Sequence, residues 1–151
     1  MPFDLIVTEE TDRFLEPAAE AGVVLSCVTE RVQVVAAESD LRLLVRNLVD
    51  NACRYTKEGT VSVTLTRRGD DAVLEVADSG AGIPQRDLPR VFERFYRVDR
   101  ARSRETGGTG LGLSIVKHVA DNLDGTVMAR SELGRGSTFT VTIPLQHREE
   151  E

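Results

Sequence analysis

The residues best suited to chemistry in this chain are a carboxylate and two glycines that follow an apolar strand. Asp78 comes directly after the largely apolar strand 73–77, and Gly80 and Gly82 follow it at alternate positions. A carboxylate at a strand end can accept a hydrogen bond from an exocyclic amine, and glycines let the backbone turn sharply toward a flat ligand. Because Asp-x-Gly also forms ordinary turns, this segment alone is weak evidence for a site.

A polar row upstream strengthens the case. Four side chains recur at steps of three and four residues, which places them along one side of a helix: Asn47, Asn51, Arg54 and Tyr55. A single half-buried asparagine more often has a structural role, such as pinning a neighbouring loop. Two amides in register with a cation and an aromatic ring favour a binding site instead.

A glycine cluster downstream, at residues 107–112, opens another helix. Backbone N–H groups and the positive end of the helix dipole at such a position suit a phosphate. The cluster is not a Walker loop, because no Gly-Lys-Ser/Thr follows, and no strand leads into it as a dinucleotide fingerprint requires. Taken in order, the three clusters predict one nucleotide pocket.

The hydrophobic pattern predicts the elements that position these clusters. Gly22 ends the first predicted helix, Pro17 kinks or shortens it, and Ser39 caps the second helix. The predicted elements are a strand at 3–8, a helix at 8–21, paired strands at 23–28 and 32–36, a helix from 39, a hairpin of 60–67 and 72–77, a helix at 110–123, and a hairpin of 125–131 and 136–145.

The segment at about 84–108 reads as a lid. It contains two short helical stretches, 85–88 and 91–97, and then a polar run without apolar period. Seven arginines stand against four carboxylates between residues 85 and 105. This basic segment could meet phosphates; a solvated helical face is the alternative interpretation.

Composition sets the outer bounds. With 151 residues and 40% hydrophobic content, we expect one domain at 1–145 and a charged, frayed tail at 146–151. The formal net charge of −6 argues against nucleic acid as a partner. No apolar run is long enough to cross a bilayer, and no export signal is present. Cys27 and Cys53 lack metal-type spacing and are expected to be small core residues.

Five motifs in one order resemble those of the ATP-binding catalytic domain of bacterial sensor histidine kinases, within the superfamily that includes DNA gyrase, heat-shock chaperone ATPases and mismatch-repair ATPases. The resemblance covers nearly the whole chain. Its motifs are an asparagine box (47–56), a first glycine box (78–83), a phenylalanine box (92–97), a second glycine box (108–116) and a last glycine box (134–139). It implies a two-layer α/β (α+β) sandwich, in which three helices cover one face of a mixed, largely antiparallel sheet, with a long ATP lid.

The resemblance also implies ATP and Mg²⁺ as ligands and assigns residues to them. Asn51 would hold the Mg²⁺ that bridges the phosphates, Asn47 would support the phosphate end, and Asp78 would accept the adenine amino group. The base side of the pocket would include Tyr55, Gly80, Gly82, Ile83 and Thr138, and the phosphate side Arg54, Arg97, Gly108, Thr109, Gly110, Leu111, Gly112 and Leu113. The family usually has lysine where Arg54 stands, and arginine offers a planar fork instead.

Asn47 favours one reaction over another. Hydrolytic and several serine-kinase relatives place glutamate one helical turn before the metal-binding asparagine, where it can act as a general base, whereas an amide cannot take up a proton. A neutral imidazole nucleophile needs little such help. We therefore expect γ-phosphoryl transfer to a histidine, with Asn47, Asn51 and Arg54 providing positioning and charge neutralisation. The alternatives are a stand-alone ATPase of the same superfamily and an ATP-sensing adaptor that transfers no phosphate.

The acceptor is expected on another domain. Neither His118 nor His147 has the His-Glu-x-x-Thr/Asn-Pro context of the family's phospho-accepting helix. The start at Met1-Pro2 and an immediate strand suggest a piece of a longer protein. By resemblance, we expect a monomeric cytoplasmic domain from a homodimeric, membrane-anchored parent that carries a histidine-bearing dimerisation domain and signals to a response regulator. Alone, this chain should bind ATP without phosphorylating itself.

Overall fold

The computed structural model describes residues 1–94 and 112–145. Within these ranges the chain forms helices and strands in one layer each. The elements are α1 (Phe3–Glu20), β1 (Val23–Thr29), α2 (Glu38–Arg54), β2 (Gly59–Arg68), β3 (Asp71–Asp78), a 3₁₀-helix (Leu88–Arg90), α3 (Gly112–Asn122), β4 (Thr126–Glu132) and β5 (Gly136–Pro144). No helix in these two ranges is long and apolar enough to cross a bilayer.

The five strands form one mixed sheet in the order β1-β2-β3-β5-β4. β1 runs parallel to β2, and the other neighbouring strands are antiparallel. Alternate residues of each strand face the helices, as shown by buried Val61, Val63 and Leu65 on β2. The other face is uncovered and carries exposed valine and methionine among serines and threonines. The predicted two-layer sandwich with three helices on one face is confirmed.

Helix α2 is central to the helical layer. Its apolar stripe is fully buried against the sheet and against α1 and α3, and consists of Leu41, Leu44, Val45, Leu48, Val49 and Ala52. Each buried leucine of this kind stabilises the fold by about 1.5–3 kcal/mol. Packing on this scale fixes the rotation of α2, and so fixes the direction of its polar row, which begins at Asn47.

The predicted strand at 3–8 is wrong, because these residues form the first turns of α1. Phe3, Ile6, Val7 and Glu10 recur at helical spacing and are all buried, so packing of one helical face outweighs the strand preference of the β-branched residues. Pro17 does not shorten the helix, which continues to Glu20.

The predicted strand at 32–36 is also wrong. β1 pairs with β2, and Gln33 makes only an isolated bridge to Pro2. The carbonyl of Val32 accepts a hydrogen bond from the N–H of Phe3 at 2.9 Å, and the N–H of Val34 donates to the Met1 carbonyl at 3.0 Å. Val32 and Val34 are buried, and their backbone groups bond to the N-terminal residues rather than to a strand, whereas Val35 is exposed.

The remaining boundaries follow the sequence closely, with two exceptions. α2 begins at Glu38 with Ala37 as N-cap, so the predicted cap at Ser39 is wrong. Residues 85–87 form a turn before the 3₁₀-helix, and residues 91–94 form turns and a bend, so the helical stretch predicted at 91–97 is not seen in its described part. Both predicted hairpins are confirmed, as β2–β3 and β4–β5. The start of the helix predicted at 110–123 lies outside the described residues.

Candidate functional site: a nucleotide pocket at one end of the sheet

Asp78 is the last residue of β3 and is held in one orientation by backbone groups. Its partners across the sheet are Val61 and Ser137, both buried, so its side chain faces the helical layer. Its Oδ1 accepts hydrogen bonds from the N–H of Gly80 at 2.9 Å and from that of Ser137 at 3.3 Å. Within 1–94 and 112–145, no group donates to its Oδ2. One carboxylate oxygen is fixed while the other remains available to a ligand.

Asp78 is half-buried where it borders this end of the sheet. Burial raises the pKa of its carboxyl group, although the two backbone hydrogen bonds act in the opposite direction. The Cys53 thiol is close enough to feel this carboxylate: burial, and then the charges of Asp50 and Asp78, raise the pKa of Cys53 to about 11. Cys53 and Cys27 are both free thiols packed against the core, as predicted.

The loop after Asp78 depends on two glycines. A Cβ added at Gly80 would overlap the carbonyl oxygen of Tyr55, and one at Gly82, where φ is +78°, would overlap the backbone of Glu132. The loop therefore passes with backbone-to-backbone contact between the end of α2 and the β4–β5 turn. This close approach holds the first glycine box against the asparagine box.

A serine cluster that the sequence did not single out lies beside Asp78. Ser131 Oγ accepts from the N–H of Ile83 at 2.6 Å, donates to the Gly136 carbonyl at 2.9 Å and lies 2.8 Å from Ser137 Oγ. The side-chain amide of Gln85 donates to the Ser131 carbonyl at 2.9 Å. The cluster ties Ile83 and Gln85, at the start of the predicted lid, to the β4–β5 hairpin.

The sheet register separates two neighbouring candidates for the base side. Thr138 pairs with Ala77 and lies on the uncovered face, whereas Ser137 pairs with Asp78 and lies on the covered face. Asp78, Ser137 and Thr138 all border an open cleft of about 530 Å³, which Gln85 at the root of the predicted lid (83–85) also lines. Thr138 stays a prediction, and Ser137 is the residue in hydrogen-bond contact with Asp78. Ser131 on β4 and Ser137 on β5 are cross-strand partners on either side of the β4–β5 turn.

The polar row of α2 lies against the start of α3. Asn47 donates from Nδ2 to its own helix, at the Leu43 carbonyl, with an N···O distance of 2.7 Å. Its Oδ1 lies 3.3 Å from the point where a Cβ on Gly112 would stand. The structure thus brings the asparagine box to the N-terminal end of α3, where the resemblance predicts the phosphates.

Asn51 and Arg54 differ in their present contacts. Asn51 is half-buried, and no described residue forms a hydrogen bond with its side-chain amide. Arg54 donates from Nε to Asp50 Oδ2 at 2.8 Å, one helical turn away. Tyr55 at the end of α2 and Leu113 in the first turn of α3 are both half-buried, and their roles in the pocket stay predictions. Arg97, Gly108, Thr109, Gly110 and Leu111 lie outside the described residues, so their roles stay predictions.

Residues 36–147 match the family described as histidine kinase-, DNA gyrase B-, and HSP90-like ATPase. The chain belongs to this family. The family assignment made from the five motifs is therefore confirmed, and with it an ATP-binding ATPase domain of the type found in sensor histidine kinases.

Named relatives agree with this ATPase family. The sensor-like histidine kinase SenX3 of Mycolicibacterium smegmatis is 46% identical over 143 residues, which cover 93% of this chain and 37% of that protein. Among solved structures, the mycobacterial sensor histidine kinase MprB has a TM-score of 0.85 at 27% identity, with 97% of each chain covered. Full-length ShkA, solved in complex with AMPPNP, has a TM-score of 0.82 at 28% identity over 95% of this chain and 30% of ShkA. This chain thus spans about a third of the length of SenX3.

Proposed function

We propose that this ATPase domain binds Mg-ATP and positions the γ-phosphoryl group for transfer to a histidine on a separate dimerisation domain of a sensor kinase. The observation that carries the proposal is the state of Asp78. Two backbone N–H groups occupy its Oδ1, and its Oδ2 has no partner among the described residues. A half-buried acceptor of this kind fits the exocyclic amine of adenine, because a donor is needed there to complete its hydrogen bonding.

Asn51 is the candidate magnesium ligand. Its amide is half-buried without a partner in the described ranges, and an amide oxygen is a suitable ligand for a hard cation. No group of three or more His, Cys, Asp or Glu side chains among the described residues could hold a metal ion. One protein oxygen fits an ion that is held mainly by substrate phosphates and water. Bound there, Mg²⁺ would neutralise charge on the phosphates.

Asn47 supports phosphoryl transfer over hydrolysis. It lies one turn before Asn51, against Gly112, and its Nδ2 is bonded to the Leu43 carbonyl. An amide at this place can orient a phosphate or a water molecule but cannot remove a proton from one. Histidine as acceptor requires no such base, because its neutral ring nitrogen already carries a lone pair.

The acceptor and the signalling partners belong to the rest of the parent protein. Since this chain spans about a third of the SenX3 length, we place the phospho-accepting histidine, the dimer interface and a membrane anchor outside it. This domain would lie on the cytoplasmic side, and the phosphorylated parent would pass the group to a response regulator.

The test measures Mg-ATP binding and phosphate release in the same sample of this chain. We expect saturable binding that EDTA weakens and phosphate release no faster than in buffer. Steady phosphate release would contradict the argument from Asn47 and favour a stand-alone ATPase. Absence of binding would contradict the assignment of the pocket.

A further inference from the structure

The hydroxyl group of Ser131 has three partners and only one proton. One partner, the N–H of Ile83 at 2.6 Å, can only donate to it. Another, the Gly136 carbonyl at 2.9 Å, can only accept from it. The third is the hydroxyl of Ser137 at 2.8 Å, which could act in either direction.

Counting protons fixes that direction. A serine hydroxyl offers one donor and two acceptor positions. The Ser131 hydroxyl donates its single proton to the Gly136 carbonyl. Its two acceptor positions therefore receive the Ile83 N–H and the Ser137 O–H. Ser137 therefore donates to Ser131. With its only proton committed, Ser137 Oγ can act toward any ligand only as an acceptor.

Ser137 lies next to the base-recognising carboxylate. Its backbone N–H donates to Asp78 Oδ1 at 3.3 Å, and both residues border the same cleft. An ionised Asp78 is also an acceptor without a proton. The end of the pocket therefore presents two neighbouring oxygen acceptors and no hydroxyl proton from this pair.

We infer that Ser131 is a positioning residue that sets base specificity. It accepts the hydrogen bond that the Ser137 hydroxyl can donate, so Asp78 and Ser137 offer the ligand only acceptors. This inference rests on the proposed function and identifies the part of the base that the pocket distinguishes, which is the group at position 6 of the purine. An exocyclic amine at position 6 of a purine has two N–H donors to offer. A 6-oxo group, as in hypoxanthine, offers lone pairs and meets two acceptors.

A purely structural role for Ser131 predicts a different result. The serine also holds the N–H of Ile83 and, through its carbonyl, the side chain of Gln85, so its loss can loosen the lid root. Loosening of this kind weakens the binding of ATP and of inosine triphosphate by the same factor. The ratio of the two affinities changes only if the Ser137 hydroxyl becomes able to donate its proton to the ligand.

The experiment compares the dissociation constants of Mg-ATP and Mg-inosine triphosphate for the wild type and for Ser131→Ala. In the variant, Ser137 regains a free proton and can turn it toward a 6-oxo group. We expect the preference for ATP to fall roughly 3- to 10-fold, the range of one neutral hydrogen bond. Ser26→Ala, on the uncovered face of β1, is the matched control and should leave the preference unchanged. Ser131→Thr keeps the hydroxyl and should restore it.

A second pair of variants tests the route of the effect. Ser137→Ala removes an acceptor for the amine and should itself lower the preference for ATP by a similar factor. In that background, Ser131→Ala should change the preference no further, because the proton it releases is gone. The Ser137→Ala measurement does not involve the Ser131 substitution, so it still tests the inference if Ser131→Ala folds poorly.

The inference is overturned if Ser131→Ala weakens both nucleotides equally, if its effect on the ratio persists in the Ser137→Ala background, or if Ser137→Ala leaves the ratio unchanged. Each of these outcomes is compatible with ATP binding through Asp78. Failure of the proposed function looks different, since the wild type would then bind neither nucleotide.

Discussion

The proposed base end and the proposed phosphate end of the pocket, called the base end and the phosphate end below, are built differently. At the base end, Asp78 is fixed by backbone N–H groups from its own loop and from β5, and Ser131 is bonded to the lid root and the neighbouring strand. At the phosphate end, Asn47 and Arg54 bond to residues of their own helix, four positions away. The first set of hydrogen bonds joins different strands and loops, whereas these two hydrogen bonds of the second set each join residues of α2.

The difference indicates how each end meets its ligand. Groups held by several strands are preorganised, so the base can bind without rearrangement. Side chains that bond within one helix can exchange those partners for phosphate at low cost, because an exposed pair such as Arg54–Asp50 contributes only about 0.2–1 kcal/mol. We therefore expect base recognition to be independent of Mg²⁺ and phosphate recognition to depend on it.

Among the variants considered, Asp78→Asn should cause the largest loss of affinity for ATP, and the loss should come from base recognition alone. The two backbone donors would hold the amide oxygen at the Oδ1 position, which leaves the NH₂ group to face the adenine amine as a second donor. We expect the affinity for ATP to fall about 100-fold, or about 3 kcal/mol. Adenosine should lose the same factor, as measured by calorimetry.

The fold should survive this change. Because burial raises the pKa of Asp78, its ionised form is unfavourable in the folded protein, and a neutral isostere removes that cost. The free energy of unfolding at neutral pH should therefore not decrease. Asp70→Asn in the β2–β3 turn serves as control. Equal affinities for adenosine in wild type and Asp78→Asn would remove Asp78 from the base pocket.

Asn51→Ala should break the phosphate end alone. Loss of one metal ligand should weaken Mg-ATP about 10-fold, or about 1.4 kcal/mol, while adenosine binds as before. Asn122→Ala, at the far end of α3, is the matched control. If Asn51→Ala weakened adenosine as much as Mg-ATP, the separation of the two ends would be contradicted.

Acidification should act on the base end through Asp78. Since its pKa is raised, it takes up a proton at a higher pH than an exposed carboxyl group and then loses an acceptor. Adenosine affinity should therefore fall on acidification, and the fall should begin at a higher pH than the titration of an exposed aspartate would give. The same titration of Asp78→Asn should be flat. A fall of equal size in the variant would assign the pH effect to another group.

Glu10→Gln should change stability with little effect on either end. Burial would raise the pKa of Glu10, but hydrogen bonds from Arg46 and Arg42 outweigh it and lower the pKa. The carboxylate joins α1 to α2 through Arg42 Nη1 at 3.2 Å and Arg46 Nε at 3.3 Å. Its loss should lower the free energy of unfolding by about 1–2 kcal/mol.

The sign of its pH dependence follows from the lowered pKa. The stabilisation by Glu10 is complete above its ordinary pKa of 4.5 and is lost as the pH falls through the lower folded value. Denaturant titrations of wild type and variant should therefore converge in acid. A gap that persisted after Glu10 is protonated would show that packing, not charge, carries the effect.

Much of the site could be predicted because the positions of its residues follow from their spacing along a single helix or strand. The row from Asn47 to Arg54 follows from helical steps, and Asp78 follows from its place at the end of a strand. Ser137 and Ser131 could not be found in this way. Their contacts, to Asp78 across 59 positions and to Ile83 across 48, depend on the register of β3, β4 and β5.

The fold shows the same division. The hairpins carry local turn signals, and α2 has a complete apolar stripe, so both were predicted from the sequence. Residues 3–8 and 32–36 contain β-branched runs. Their conformations depend on contacts with residues that are far away in the sequence. The first run packs as one face of α1, and the second bonds to the backbone at Met1 and Phe3. A propensity for strands cannot reveal such partners.

The most direct test of the account is transfer of a labelled γ-phosphoryl group. This chain, loaded with Mg-ATP, would be mixed with the proposed histidine-bearing dimerisation domain, and the phosphorylated product would be tested for acid and base lability. The account predicts an acid-labile, base-stable phosphoryl group on the acceptor domain and none on this chain alone. Tight ATP binding without transfer would contradict it and favour an ATP-sensing adaptor.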